Sequence, residues 1–470
     1  MKNSQLTKAI QALSKEEFKE LGKFINSPFF NNREAICRFY EAIKKSYPHF
    51  RPANFTKEYL FKRVYPAKKY SDVLMRKLVS LMLNLVLEFL LVLNQRQNTL
   101  EGEVRLLEIL RQRKLLDIFG KKQKKVLDLI NNSKHEFDLY ELLYKATASM
   151  NGVVQLKDEK EMLRVYQKEH DEFVAYFLSF VLLQYIRLSE WSKMYKIKFE
   201  LRLFNQVTDF LSKNQYNDYP LIPLYYNLMM LMNTGEEKYF TKLFQERLKY
   251  LDKVTVVHNY NIALVLIQHC YKMIQSGKSE YRQHQFELTR SIIENNLIPE
   301  GYIEHYFFTN TIRYVSYLKE FKWCEDFILK FGNNLDPEIK DEILNYSYSM
   351  IEFHKGNYER SLKYLSAINI DKANMKYDIK NIQLMNLYEL GHGEQLLSHI
   401  DAYKHFVSRD EQLTVQFKEK VRKFLSCVIT INRLRLDNNA EEARYFEKEI
   451  YGYDYFYLKE WVLEKIGEIK

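Results

Sequence analysis

The chain has 470 residues, 46% of them hydrophobic and 28% charged, enough for a sizeable core beneath a soluble surface. Lys and Arg (71) exceed Asp and Glu (61), and glycine (13) and proline (8) are scarce. Turns and strand connections consume glycine and proline, so their scarcity argues against a turn-rich β protein and for long helices with short joints.

In chain order, Ser14-Lys-Glu-Glu17 reads as a capping box, with Leu13 and Phe18 placed to close a hydrophobic staple. The helix it starts is expected to reach about Ile25 and stop before "NSPFFNN", because Pro28 lacks an N–H and restricts Ser27. Asn31 with Glu34 is expected to restart the chain in the same way, and Phe29-Phe30 to pack beneath the joint. "TKEYLFKRV" reads as a short helix and "YPAKKY" as a turn, after which Ser71 caps a long apolar helix ending near Leu93. The run Leu78 to Leu93 is sixteen residues and carries Asn84 and Glu88. A membrane span needs roughly 20 apolar residues, so a buried core helix is expected and no span.

Polar "NQRQNTLEG" is the first candidate boundary, and "NQYNDYPLIP" (Asn214 to Pro223) the second. Between them, from Leu100 to about Ser212, helical runs are expected with breaks near Gly120, Asn131–Ser133 and Asn151–Gly152. Sustained apolar/polar alternation bounded by Asn-Gly or Asp-Gly is missing, which predicts an all-α chain. Its expected parts are a basic N-terminal helical domain (1–95), a helical middle region (96–215) and a helical-repeat region (216–470).

The last part has a period. Gly356 opens "GNYERSL" and Gly391, 35 residues on, opens "GHGEQLL"; counting 35 back from Gly356 reaches Phe321 in "FKWCEDF". In that register Trp323 pairs with Tyr358, Phe327 with Leu362 and Leu397, and Glu359 with Glu394. Weaker corners stand at Gly235 and Gly277. A period of this length with a break inside it signals stacked helical hairpins. "YSMIEFHKGNYERSLKYLSAINID" resembles a tetratricopeptide repeat (TPR): Gly356 and Tyr358 at the turn between helices, small Ser361 early in the second helix, then apolar Leu365 and Ile368. The resemblance implies a right-handed α-α superhelix whose first helices line a concave surface for a partner peptide or helix. By the same resemblance, Thr311, Lys319, Tyr346, His354 and Asn381 would line it, offering contact area and hydrogen bonds to an extended ligand.

Motifs that carry catalytic or metal chemistry are missing. The Gly356 stretch is no phosphate loop, since GxxxxGK[ST] and GxGxxG do not occur and Lys355 precedes the glycine. HExxH, paired CxxC, Asp-Asp and GxSxG are equally missing, and Glu389-Leu-Gly-His392 straddles an expected turn. His392, His399 and His405 read as repeat-surface histidines, and "KDEKEMLRVYQKEHDEF" as a solvated face. No metal, no cofactor and no enzymatic activity are expected. Cys37, Cys270, Cys324 and Cys427 lie far apart, which suits single thiols in a reducing compartment, and the N-terminus lacks an apolar signal region. The expected location is therefore the cytoplasm.

Charge leaves a second reading open. Residues 1–125 hold 26 Lys and Arg against 12 Asp and Glu, the rest 45 against 49. Lys62, Arg63, Lys68 and Lys69 gather around "YPAKKY", and Arg111, Arg113, Lys114, Lys121, Lys122, Lys124 and Lys125 form a second cluster. Such a field attracts phosphates or acidic proteins, so nucleic acid is a possible partner through this region. The "YPAKKY" turn is long for a helix–turn–helix, and the following helix too apolar for a groove. The favoured expectation is a non-enzymatic protein–protein adaptor or scaffold.

Overall fold

The computed structural model describes residues 1, 4–50, 55–97, 99–151, 153, 159–195, 197–299, 301, 303–369, 375–411, 413–453, 456 and 458–469. The chain is all-α, 76% helical and without strands among the described residues, and its helices pack as neighbouring pairs. It divides into two compact units. The first is residues 1–133 with 137–177, and the second 134–136 with 178–470.

In the first unit, α1 (Gln5–Gln11), α2 (Lys15–Ile25), α3 (Glu34–Lys44), α4 (Lys57–Val64) and α5 (Asp72–Gln97) enclose one core. A second core gathers α6 (Thr99–Gln112), α7 (Leu116–Asn131) and α8 (Phe137–Ala148). α9 (Glu159–Tyr195) begins in this unit and, from Leu178, belongs to the other.

The local rules that predicted α2 operate in it. The Glu17 amide donates to Ser14 Oγ at 3.1 Å, the Ser14 amide donates to Glu17 Oε2 at 2.8 Å, and Leu13 and Phe18 are buried in the same core. At α3 the expected Asn31 cap gives way to Arg33, which caps without a side-chain bond. The Asn31 carboxamide instead accepts from the Arg33 amide at 3.0 Å and donates to Ile25 O at 3.0 Å, tying the joint to the end of α2. The phenylalanine pair splits: Phe30 stacks on Phe24 at 3.9 Å, whereas Phe29 is 86% exposed.

α5 is longer than expected and is buried along one stripe, Met75, Leu78, Met82, Val86 and Phe89, at the spacing of one helix face. Val73, Leu87 and Leu91 are exposed, so it is a core helix on that face alone. By length and composition, 72–96 and 159–192 would each suffice to cross a membrane. The break expected near Gly120 falls at 113–115, where Lys114 takes φ +59°, and Gly120 lies inside α7. The Asn131–Ser133 break is where α7 ends, and Gly152 of the next lies outside the described residues.

In the second unit, α10 (Phe204–Lys213) precedes a series of helical hairpins. These are α11 (Leu221–Thr234) with α12 (Glu237–Glu246), α13 (Val256–Gln275) with α14 (Tyr281–Glu294), and α15 (His305–Tyr317) with α16 (Phe321–Phe331). Then come α17 (Lys340–His354) with α18 (Tyr358–Ser366), α19 (Lys376–Glu389) with α20 (Gly393–Arg409), and α21 (Val415–Leu436) with α22 (Ala440–Tyr451). α23 (Lys459–Ile469) packs on the last pair.

Each hairpin turns at one residue of positive φ: Gly235, Gly277, Lys319, Gly356, Gly391 and Asn438. At the last five, the next amide reaches back to a carbonyl five residues earlier, as Asn357 does to Glu352 O and Glu320 to Val315 O. That is the six-to-one bond of a Schellman end, which satisfies carbonyls the helix leaves orphaned. The corner equivalent to Gly356 is thus Lys319, 37 residues earlier, and the expected register through Phe321 is shifted by two. Five residues past the corner, Cys324, Ser361, Leu396 and Ala443 are all fully buried. Ser361 uses that place to bond: its hydroxyl donates to Ser349 O at 2.8 Å and accepts from Asn386 Nδ2 at 3.0 Å, joining three helices.

Candidate binding groove

A cavity of about 1400 Å³ lies wholly within the second unit. Its wall is one face of successive first helices, because residues three or four apart share a helix side. α13 contributes Asn261, Leu264, Gln268, Tyr271 and Gln275; α15 contributes Tyr306, Asn310, Arg313, Tyr314 and Tyr317. α17 brings Tyr346, Met350, Phe353 and His354, and α19 brings Asp378, Asn381, Met385 and Glu389. Leu183, Arg187 and Glu190 of α9 and Tyr225 of α11 extend the wall, and α23 adds Trp461 and a row of charged residues.

Four of the five residues singled out in the repeats meet here: Lys319, Tyr346, His354 and Asn381. Tyr346 and Asn381 are themselves almost fully buried, so they back the wall more than they present a surface. Thr311 does not line the cavity. It is fully buried, with its hydroxyl 3.3 Å from the Tyr314 hydroxyl, because Asn310 occupies the cavity-facing position and the next residue lies about 100° further round the helix.

Charges in the groove are largely matched. Arg282 pairs with Glu460 while lying 4.0 Å over the Tyr317 ring, and Tyr317 meets His354 edge-on at 5.9 Å. Burial, reinforced by Arg282, pushes the His354 imidazole down to about 4, so it is neutral at pH 7. Arg313 stands 3.6 Å from Asp378. Glu389 accepts from Trp461 Nε1 at 3.3 Å and from Lys465 at 2.9 Å, which fixes α23 to the end of α19. Burial would lower the Lys465 ammonium, but its bonds to Glu468 and Glu389 prevail and hold it above the usual lysine range. Beside the groove, the Tyr225 hydroxyl lies 2.6 Å from His258 Nδ1, and burial takes that imidazole down to about 4.

The amides of α13 and the α23 wall were not singled out from the sequence. A signal for the first existed: Asn261, Gln268 and Gln275 recur every seven residues. α23 carried none, since its contact with Arg282 spans 178 residues of chain.

The basic residues of the first unit divide by pairing. Arg111 bonds Glu108 at 2.6 Å and Lys122 bonds Glu103. Lys62, Arg63, Lys68, Lys69, Arg113, Lys114, Lys121, Lys124 and Lys125 are exposed, with Arg63 and Lys68 resting over the Tyr59 and Tyr65 rings. Among the described residues no group of three His, Cys, Asp or Glu is placed to hold a metal, and all four cysteines are free thiols. Compared with protein-family models, curated proteins and solved structures, the chain matches none.

Proposed function

We propose that the second unit is a TPR-like, right-handed α-solenoid and that the chain is a non-enzymatic interaction protein, holding a segment of a partner protein in its groove. The observation that carries this reading is the convergence of one face of α11, α13, α15, α17 and α19 on a single cavity. Stacked hairpins that bury one side of each helix leave such a face for a partner. Tyr271 and Tyr306 present exposed ring area there, and aromatic side chains of this kind dominate contact energy at protein interfaces.

The test is affinity purification of the full chain from its native host, with nuclease treatment in parallel. A stoichiometric protein partner that is retained after nuclease and lost from Tyr271→Ala/Tyr306→Ala, with the thermal melt unchanged, supports the reading. A partner held equally by the double variant overturns it.

The exposed lysines and arginines of the first unit favour a second reading, polyanion binding. It is independent of the groove and separable from it by salt.

A further inference from the structure

The groove wall carries hydrogen-bonding groups that nothing in the fold uses. Asn261, Gln268 and Gln275 stand along one line of α13, and among the described residues none of their carboxamides has a hydrogen-bond partner. Gln285 is 4% exposed, lines the same cavity, and its carboxamide is likewise without a partner. Asn310 and Asn381 use only their oxygens, accepting from Arg313 and Tyr403, which leaves both NH₂ groups free. Asn261 and Gln268 are exposed and meet water, whereas the unused groups of the nearly buried Gln285 and Asn381 are desolvated and favour a ligand that completes them.

We infer that the occupant is an extended, uncharged polypeptide segment whose backbone is read by these amides, which deepens the interaction reading above and rests on it. A helical ligand has already spent its backbone N–H and C=O groups internally, whereas an extended chain offers both at every residue. The spacing agrees. Seven residues of α-helix rise about 10.5 Å, and three residues of a chain extended as polyproline II, whose threefold period returns the same side, cover about 9 Å. Successive α13 amides therefore meet every third residue of such a segment. Charge takes little part, because Arg282 with Glu460, Arg313 with Asp378 and Lys465 with Glu389 neutralise one another, and the other charges of the wall, Arg187, Lys319 and Lys459 against Glu190, Glu304, Glu464 and Glu468, nearly balance.

The experiment selects phage-displayed random dodecapeptides on the full chain, then measures a fluorescein-labelled synthetic copy of the best clone by anisotropy. The expected peptide is poor in charged residues and tolerates proline at several positions. Its Kd changes less than about threefold between 50 and 500 mM NaCl, as fits contacts without ionic screening. Gln268→Ala/Gln275→Ala weakens it about tenfold or more, while circular dichroism and the melt stay as in the wild type. Enrichment of acidic or basic peptides with steep salt dependence, of peptides abolished by every proline, or of peptides indifferent to the double variant overturns this inference but leaves a groove that binds protein. No enrichment over a chain carrying Tyr271→Ala/Tyr306→Ala overturns both.

Discussion

Lys319 and Gly356 do the same job with unequal ease. Both sit in the left-handed region, φ +62° and +82°, where a Cβ crowds the following carbonyl and glycine alone escapes the penalty. A Cβ on Gly356 would meet nothing within 4 Å, so Gly356→Ala isolates the backbone term and is expected to cost about 1 kcal/mol. Lys319→Gly is expected to gain about 0.5–1 kcal/mol by relieving the same strain. Urea denaturation of the two variants checks both signs. Glu172 is the second residue whose surroundings set its behaviour. It is 2% exposed, its Oε2 has no hydrogen-bond partner, and Lys168 stands 3.6 Å away. Burial outweighs Thr147 and Lys168 and raises its carboxyl above the ordinary 4.5. An acid raised in the folded state contributes stability that is complete below its unfolded value and lost as pH rises through the folded one. Glu172→Gln is therefore expected to be more stable than wild type at pH 7.5, with the gap closing towards pH 4.5. A gap that widens on acidification would contradict the assignment.

Helix ends explain much at the scale of elements. The Ser14 box was predicted from four residues because both partners lie within one turn, and it formed. The start of α3 was misplaced for the complementary reason: Asn31 had a stronger use, closing the joint onto Ile25 O. α23 shows what a short element needs from afar. It buries Trp461, Val462 and Ile466, and Lys465 goes in with them, compensated by Glu389 and Glu468. Breaking a buried pair leaves an uncompensated charge. Glu389→Leu is expected to cost about 2–3 kcal/mol, somewhat under the full figure for an orphaned ion because Glu468 remains. Lys465→Met in the same background should recover most of the loss. Differential scanning calorimetry of the single and double variants decides between a pair that matters and one that is only tolerated.

For the molecule as a whole, charge and groove are segregated in sequence. The excess of Lys and Arg falls in residues 1–125, whereas the cavity belongs to residues beyond 178 and its ions are largely paired. Binding to a polyanion should therefore depend on the exposed lysines of α7 and be steep in salt, since each neutralised phosphate releases counterions. Lys121→Glu/Lys124→Glu/Lys125→Glu is expected to elute from phosphocellulose at markedly lower salt than wild type while binding the groove peptide unchanged. Equal elution would remove the second reading.

The sequence by itself determined that the chain is helical, where several of its helices start or stop, and that hairpins recur after Pro223. These are local matters: caps, the scarcity of glycine and proline, and a 3.6-residue period act within one or two turns. Corners at Gly235, Gly277, Gly356 and Gly391 were legible because glycine marks positive φ. Those at Lys319 and Asn438 were not, because there non-glycine residues take the same conformation, closed by the bonds from the Glu320 and Asn439 amides. Tertiary structure alone decided which face of each first helix meets the cavity, a difference of one residue between Asn310 and Thr311. It alone brought α23 to Arg282, since burial and ion pairing across 178 residues leave no trace in local pattern.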